Sequence, residues 1–167
     1  MALYRIKQFV WAAGSYFKKV DTEFVDKYLN EDEKKLFNKL NHHDKHHSIR
    51  VCKDALNICK SQKANLNNNK IAKAALLHDV GKSEFGLNIV EKSILVLLNS
   101  LTNGKIKKYN NIKQIDIYYN HAQKGADILK EFKIYDKEFL DSIRYHHSNK
   151  RISNELLDVI RECDNKN

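Results

Sequence analysis

The chain has 167 residues, of which 42% are apolar and 31% charged, a length and composition typical of one soluble globular domain with a hydrophobic core. Its 30 lysines and arginines outnumber its 21 aspartates and glutamates, and the net charge of +9 favours an anionic partner such as a nucleotide, a nucleic acid or a membrane surface. The lysines are scattered, however, which is more often a solvated surface than a binding site, and no stretch is long and apolar enough to predict a transmembrane helix.

The sequence contains no proline and only five glycines, so nothing forbids long helices, and no period-two alternation indicates strands. We predict an all-α fold, a single helical bundle in which N-terminal helices (residues 1–41) pack on a core domain (residues 42–167). The apolar segment Leu3 to Phe17 predicts an amphipathic helix rather than a signal peptide, because Arg5 and Lys7 interrupt it. Three cysteines without a CxxC spacing predict buried thiols in a reducing cytoplasm.

The first half of the chain predicts a short helix from Asp21 to Leu29 and then a helix with a capping box formed by Asn30 and Glu33. Asp44 is predicted to cap a long helix that carries His47 in line with core residues. The asparagine-rich run from Asn65 to Asn69 predicts a loop.

A helix from Ile71 to His78 leads into the motif His78-Asp79-Val80-Gly81-Lys82. Adjacent imidazole and carboxylate ligands at the end of a buried helix suit a divalent cation, and an aspartate can bridge two cations. We expect Gly81 to let the chain turn directly after these ligands. Lys82 would then project near the opening of the same cation site, where its compact positive charge suits a phosphate.

The second half predicts four further helices and one basic loop. They are a buried helix from Leu87 to Leu101, a loop from Lys105 to Lys113 near the site, a helix from His121 to Phe132 capped by Asn120, a helix opened by Asp136 whose inner face reaches His146 and His147, and a helix from Ile152 to Cys163 that delivers Asp164 at its end.

The eight histidines fall into two groups. His42, His43 and His46 lie in a polar helix start, which favours a structural or solvated role. The other five lie at helix ends or on apolar stripes, where a buried imidazole needs a partner for each ring nitrogen. These five (His47, His78, His121, His146 and His147) would be satisfied most simply, together with Asp79 and Asp164, around metal ions.

These motifs resemble a known family. His47-Ser48-Ile49-Arg50-Val51, the His78-Asp79 motif and Asp164 are similar, in that order, to the H…HD…D signature of the HD-domain metal-dependent phosphohydrolases. The segments around His121 and His146-His147 resemble the additional ligand motifs of its multinuclear branch, which includes HD-GYP phosphodiesterases and small hydrolases of dinucleoside polyphosphates. The resemblance covers about residues 44–165.

The resemblance implies a set of site residues. One metal would be held by His47, His78, Asp79 and Asp164, and a second by Asp79, His121, His146 and His147. A hydroxide bridging the metals would attack phosphorus, with Asp79 and Lys82 as the catalytic residues and Lys82 and Arg50 contacting phosphate. A surface position for Arg50 is an equally good reading of the sequence.

The expected cofactor is one or two divalent metal ions. The resemblance favours iron or manganese, while mixed histidine and carboxylate ligands leave zinc, magnesium and nickel open. The segment after His147 lacks the Gly-Tyr-Pro motif, which argues against cyclic-di-GMP hydrolysis. We therefore expect a phosphohydrolase acting on a phosphate-containing small molecule, most simply a nucleotide. The alternative is a metal-binding regulatory or sensor domain, and nucleic acid is the least favoured partner because stacking aromatics do not alternate with the lysines.

Overall fold

The computed structural model describes Gly14 and residues 18–62 and 66–167, and within them it contains eight α-helices, two 3₁₀ turns and no strand. The helices are α1 (Thr22–Asp26), α2 (Glu31–Asn38), α3 (His42–Gln62), α4 (Asn68–Leu77), α5 (Ile89–Leu101), α6 (Lys113–Lys130), α7 (Lys137–Tyr145) and α8 (Glu155–Lys166). The 3₁₀ turns are Val80–Lys82 and Lys105–Tyr109. The all-α prediction is confirmed, whereas the helix predicted from Leu3 to Phe17 lies outside the described residues.

Side-chain caps define several helix starts as predicted. The capping box of α2 is complete, with Asn30 accepting from the Glu33 amide and Glu33 accepting from the Asn30 amide. Asp136 caps α7 by accepting from the amide of Phe139 at 2.8 Å. Asp21 likewise caps α1. Each cap satisfies a helix-end N–H group that has no partner within the helix.

Other predicted boundaries are wrong. Helix α3 begins at His42, so Asp44 lies in its first turn instead of capping it. The loop predicted from Asn65 to Asn69 is shorter, because Asn67 caps α4. Asn120 lies in the middle of α6, where its amide donates to Asp116, and Asp164 lies inside α8 rather than after its end.

The main core forms where α3 packs against α4 and α4 contacts α7 and α8. Its largest fully buried side chains include Ile71, Leu76, Leu129 and Phe139, while Phe37 brings α2 into the same core. Cys52, Cys59 and Cys163 are buried free thiols, as predicted. The boundary between N-terminal helices and a core domain at residue 42 stays a prediction.

Gly81 is required by close packing and not by an unusual backbone conformation. Its φ is not positive, unlike that of Gly104 (79°). A Cβ on Gly81 would lie 1.9 Å from the carbonyl oxygen of His121 and 2.6 Å from the amide nitrogen of Gly125. The turn Val80–Lys82 therefore lies directly against the backbone of α6 and fixes Asp79 beside His121.

The prediction that residues 87–101 form a buried helix is wrong about burial. Leu87 and Leu95 are buried in a second, smaller cluster with Ile106, Ile115 and Ile117. The opposite face of α5 is exposed: Val90 (66%), Ile94 (51%), Leu97 (58%), Leu98 (39%) and Leu101 (71%). The predicted basic loop after it starts as the 3₁₀ turn Lys105–Tyr109. In the part of the chain described, no helix is long and apolar enough to cross a membrane.

Candidate metal centre

Five helices bring the predicted ligands to one place. His47 lies in the second turn of α3, and His78 is the C-cap residue of α4 with Asp79 directly after it. His121 lies in the middle of α6, and Asp164 lies in the last turns of α8. His146 is the C-cap residue of α7 and precedes His147. The convergence predicted from sequence is therefore present in the fold.

Three buried imidazoles are oriented by their own helices. The Nδ1 atoms of His78, His121 and His146 donate to the carbonyl oxygens of Ala75, Ile117 and Ile143, at 2.8, 2.9 and 2.6 Å. A neutral imidazole that donates from Nδ1 has its lone pair on Nε2. No hydrogen bond to these three Nε2 atoms is formed within the described residues, although all three are buried. Such an atom needs a proton or a cation.

The two carboxylates lie where these lone pairs meet. Asp79 is 1% exposed, and its Oδ1 lies 3.3 Å from Nε2 of His121 and 3.9 Å from Nε2 of His146. Its Oδ2 lies 3.5 Å from Nε2 of His78. A neutral imidazole lone pair and a carboxylate oxygen repel each other, because both are hydrogen-bond acceptors. A cation bound between them would be coordinated by both and would remove this repulsion.

Asp164 completes the cluster on the opposite side. Its Oδ1 contacts Nε2 of His47 at 2.9 Å and lies 3.7 Å from Nε2 of His78, while its Oδ2 lies 3.5 Å from Nδ1 of His147. Three overlapping groups have all their ligand atoms within 4.8 Å of one another and could hold a metal ion. The groups are His47, His78 and Asp79; Asp79, His121, His146 and His147; and His78, His146 and Asp164.

The electrostatics keep most of the predicted ligands in the protonation states that metal binding requires. Burial lowers the pKa of His47, and burial and the neighbouring His147 hold the pKa of His146 well below its ordinary value of 6.5. Burial, with repulsion from His121, lowers the pKa of His147 to about 4. Burial opposes ionisation of Asp79, but Lys82 and His78 outweigh it and hold the pKa of Asp79 well below the usual range. His47, His146 and His147 are thus kept neutral beside the ionised carboxylate of Asp79.

His78 is the exception among these ligands. Burial acts to lower its pKa, but the negative charges of Asp79 and Asp164 prevail and raise the pKa above 6.5. The pKa of Asp164 is held well below normal because contacts with His47 and His78 outweigh its burial. A divalent cation between the two carboxylates would supply the positive charge that a proton on His78 otherwise provides.

The cluster opens to solvent at His147, whose side chain is 49% exposed while those of His78 and His146 are fully buried. His146 and His147 also line a cleft of about 590 Å³ in front of the loop between α7 and α8. Lys150, Arg151 and Arg161 lie along the same cleft. Arg161 donates to the carbonyl oxygens of Tyr145, Ser148 and Lys150, so it holds the loop in place.

Lys82 occupies a more enclosed position than the sequence suggests. Its side chain is 12% exposed and ion-pairs with Asp79, and its Nζ lies 3.7 Å from Oδ1 of Asp44. Burial acts to lower its pKa, but Asp79 and Asp44 outweigh that effect and raise it. Arg50, the other predicted phosphate contact, is half-buried on α3, one turn after His47.

Three residues near Lys82 were not predicted for the site. Asp44 is 2% exposed, and Nε2 of the buried His43 lies 3.4 Å from its Oδ1. The pKa of Lys92 is lowered mainly by repulsion from Lys82 and then by burial. Asp44 stands three residues before His47 and so on the same face of α3, a spacing that could have indicated it. Lys92 has no comparable signal, because only the fold brings α5 beside Lys82.

Comparison with known proteins gives one match. The family model described as HD domain matches residues 45–165, which is most of the chain and includes every residue of the cluster. No curated protein matches the chain, and no solved structure matches it.

Proposed function

The chain belongs to the HD domain family, and we propose that it is a metal-dependent phosphohydrolase that cleaves a phosphate ester or anhydride of a nucleotide or a related small molecule. Members of this family are generally phosphohydrolases and bind divalent metals.

One observation carries the proposal. The Nε2 atoms of His78, His121 and His146 are buried and point at the carboxylates of Asp79 and Asp164, while the Nδ1 atoms donate to backbone carbonyls. A purely structural histidine uses both ring nitrogens in hydrogen bonds within the protein. Imidazoles fixed through Nδ1 with Nε2 left for a cation are typical of metal sites.

The donor set fits one or two divalent cations. His47, His78 and Asp79 would hold one, and Asp79 with His121, His146 and His147 would hold another, so that Asp79 is shared. Divalent cations in such a site lower the pKa of bound water and neutralise charge on a phosphoryl group. The proposed choice of iron or manganese rests on the family resemblance alone, since imidazole and carboxylate ligands also suit zinc.

The remaining roles follow from position and charge. Lys82 is a buried cation beside Asp79 and would neutralise a phosphate bound at the cluster. The half-exposed His147 marks the side from which a substrate would enter, and the cleft of about 590 Å³ beside it falls in the size range of small-molecule sites. Lys150 and Arg151 on its wall suit an anionic substrate. Arg50 stays proposed as a second phosphate contact.

The test combines metal analysis with an activity screen. The purified chain is loaded with iron, manganese or zinc, its bound metal is counted, and hydrolysis is measured on mononucleotides, dinucleoside polyphosphates and cyclic dinucleotides. Asp79→Asn keeps the size of the side chain but removes the charge shared by the ligand groups. We expect it to lose at least one bound metal and to reduce turnover about 100-fold or more.

Asp32→Asn is the matched control, because Asp32 is an exposed partner of Lys35 outside the cluster. It should change neither metal content nor activity. Turnover that survives both chelation and Asp79→Asn would refute the mechanism. Tight metal binding without turnover on any of these substrates would instead favour the regulatory or sensor alternative.

A further inference from the structure

Lys82 lies between two buried carboxylates. Its Nζ donates to Oδ2 of Asp79 and lies 3.7 Å from Oδ1 of Asp44. An ammonium group has three protons to donate, so Lys82 can serve either carboxylate. Asp79, unlike Asp44, belongs to the groups of described residues that could hold a metal ion. The two partners of Lys82 therefore differ in what else they can bind.

The contact with Lys82 uses an oxygen that a metal ion would also need. Oδ2 of Asp79 lies 3.5 Å from Nε2 of His78 and 4.0 Å from Nε2 of His47. These three side chains form one of the groups that could hold a metal ion. A cation held by them would repel an ammonium group on the same carboxylate oxygen. Lys82 and the cation thus compete for Asp79.

Asp44 has an acceptor for the displaced ammonium group. Its Oδ2 is buried and forms no hydrogen bond within the described residues, which is unfavourable for a carboxylate oxygen. The nearby Nε2 of His43 lies 3.4 Å from Oδ1 of Asp44, so it leaves Oδ2 unsatisfied. Because Nζ of Lys82 is 3.7 Å from Oδ1, a shift of about 1 Å along its flexible stem brings it into hydrogen-bond range of Asp44.

A second lysine makes the negative charge of Asp44 important. Repulsion from Lys82 is the largest cause that lowers the pKa of Lys92, on α5, so the two ammonium groups lie close together. Asp44 opposes this effect on Lys92, and it also stabilises the charged form of Lys82. Without Asp44, a Lys82 displaced from Asp79 would meet a like charge with no carboxylate to offset it.

We propose that Asp44 is a positioning residue for the metal centre: it receives Lys82 when a cation binds to Asp79, and so leaves both oxygens of Asp79 available as ligands. Because Asp79 must be a metal ligand for this exchange to occur, the proposal rests on the proposed function. Held by Asp44, Lys82 stays beside the cluster, where its charge can still reach a bound phosphate. Asp44 itself touches neither the metal nor the substrate.

The test is a double-mutant cycle on metal affinity. Manganese or zinc, whichever the unchanged chain binds more tightly, is titrated into each variant. Asp44→Asn should lower the affinity by at least about tenfold, because Lys82 is then left with Asp79 alone. Lys82→Met should raise the affinity, because it removes the competitor. The loss caused by Asp44→Asn should be at least about fivefold smaller in the Lys82→Met background.

A matched control and a second measurement accompany the cycle. Asp54→Asn removes a negative charge from a half-buried position on the same helix, where the carboxylate accepts from Asn167, and it should change the affinity by less than about twofold. A crystal structure of the unchanged chain with the same metal gives a result that needs no variant to fold. In it, Nζ of Lys82 should lie within hydrogen-bond distance of Asp44 and not of Asp79.

Two results would overturn the proposal while leaving the metal centre intact. One is an equal loss of affinity from Asp44→Asn in both backgrounds, as expected if Asp44 acts only on the start of α3 or through its charge at a distance. The other is a metal-loaded structure in which Lys82 still donates to Asp79. An unchanged chain that binds neither metal would refute the proposed metal centre itself, and the exchange of Lys82 with it.

Discussion

Replacing Gly81 by alanine tests whether the metal centre is built by contact between the turn Val80–Lys82 and α6. The added methyl group would lie 1.9 Å from the carbonyl oxygen of His121 and 2.6 Å from the amide nitrogen of Gly125. Both are backbone atoms, so no side-chain rotation can relieve the overlap. The turn that follows Asp79 and the helix that carries His121 must move apart.

The size of the effect follows from the overlap. Contacts of a real Cβ essentially never fall below 3.0 Å, so the two segments must separate by about 1 Å. Overpacking of this kind costs about 1–3 kcal/mol. For a chain of this length that lowers the melting temperature by roughly 2–12 °C. Metal–ligand distances tolerate only about 0.2 Å, so we expect metal affinity to suffer more than stability.

The assay pairs thermal unfolding of the chelated protein with a metal titration of Gly81→Ala and of Gly14→Ala. Gly14 is the matched control because a Cβ there would meet nothing within 4 Å. We expect Gly81→Ala to unfold at a lower temperature and to lose the metal that we propose Asp79 and His121 share, and Gly14→Ala to keep its metal. If Gly81→Ala keeps both its melting temperature and its metal content, the reasoning from close packing is wrong.

Three further predictions concern ionisable side chains. Glu33→Gln leaves Lys73 facing a neutral side chain, and it should lower the free energy of unfolding by about 2 kcal/mol in urea denaturation. Glu31→Gln, at an exposed ion pair, should change the free energy of unfolding by no more than about 0.5 kcal/mol. In the chelated protein, the free energy of unfolding should rise between about pH 4 and pH 6.5. In that range His147 binds a proton in the unfolded chain but not in the folded chain, where the pKa of His147 is about 4. A free energy of unfolding that does not change with pH would contradict this prediction. Lys82→Met should lower the melting temperature of the chelated protein more than that of the metal-loaded protein, since a bound cation would replace the lost positive charge beside Asp79. Equal decreases in the two melting temperatures would argue against a cation at this position.

The sequence was sufficient for the parts of the fold that depend on local rules. The capping box of Asn30 and Glu33 and the cap at Asp136 are short-range hydrogen-bond patterns, and both are present. The five histidines with Asp79 and Asp164 were predicted to meet because each stood on an apolar stripe or at a helix end, where a polar side chain needs a partner. Their roles as ligands stay predictions, but their proximity is a property of the fold.

Local rules failed where tertiary packing decides. Asn120 was a plausible cap, yet α6 begins seven residues earlier and Asn120 is satisfied by Asp116 within the helix. Gly81 was expected to provide backbone freedom, but the fold needs it because α6 passes too close for any Cβ. Asp44 and Lys92 were missed because their importance comes from Lys82, which lies between Asp44 and Asp79 only in the folded chain.

The sequence predicts α5 correctly as an apolar helix, but the prediction that the whole helix is buried is wrong. The sequence pattern of an amphipathic or strongly apolar helix predicts that one face is apolar, but it does not predict what that face packs against. For α4 the answer is the chain's own core, and its inner residues are fully buried. For α5 the described part of the chain buries Leu87 and Leu95 and leaves Leu97 and Leu101 exposed. A hydrophobic pattern of helical period therefore predicts that a face is apolar without predicting its partner.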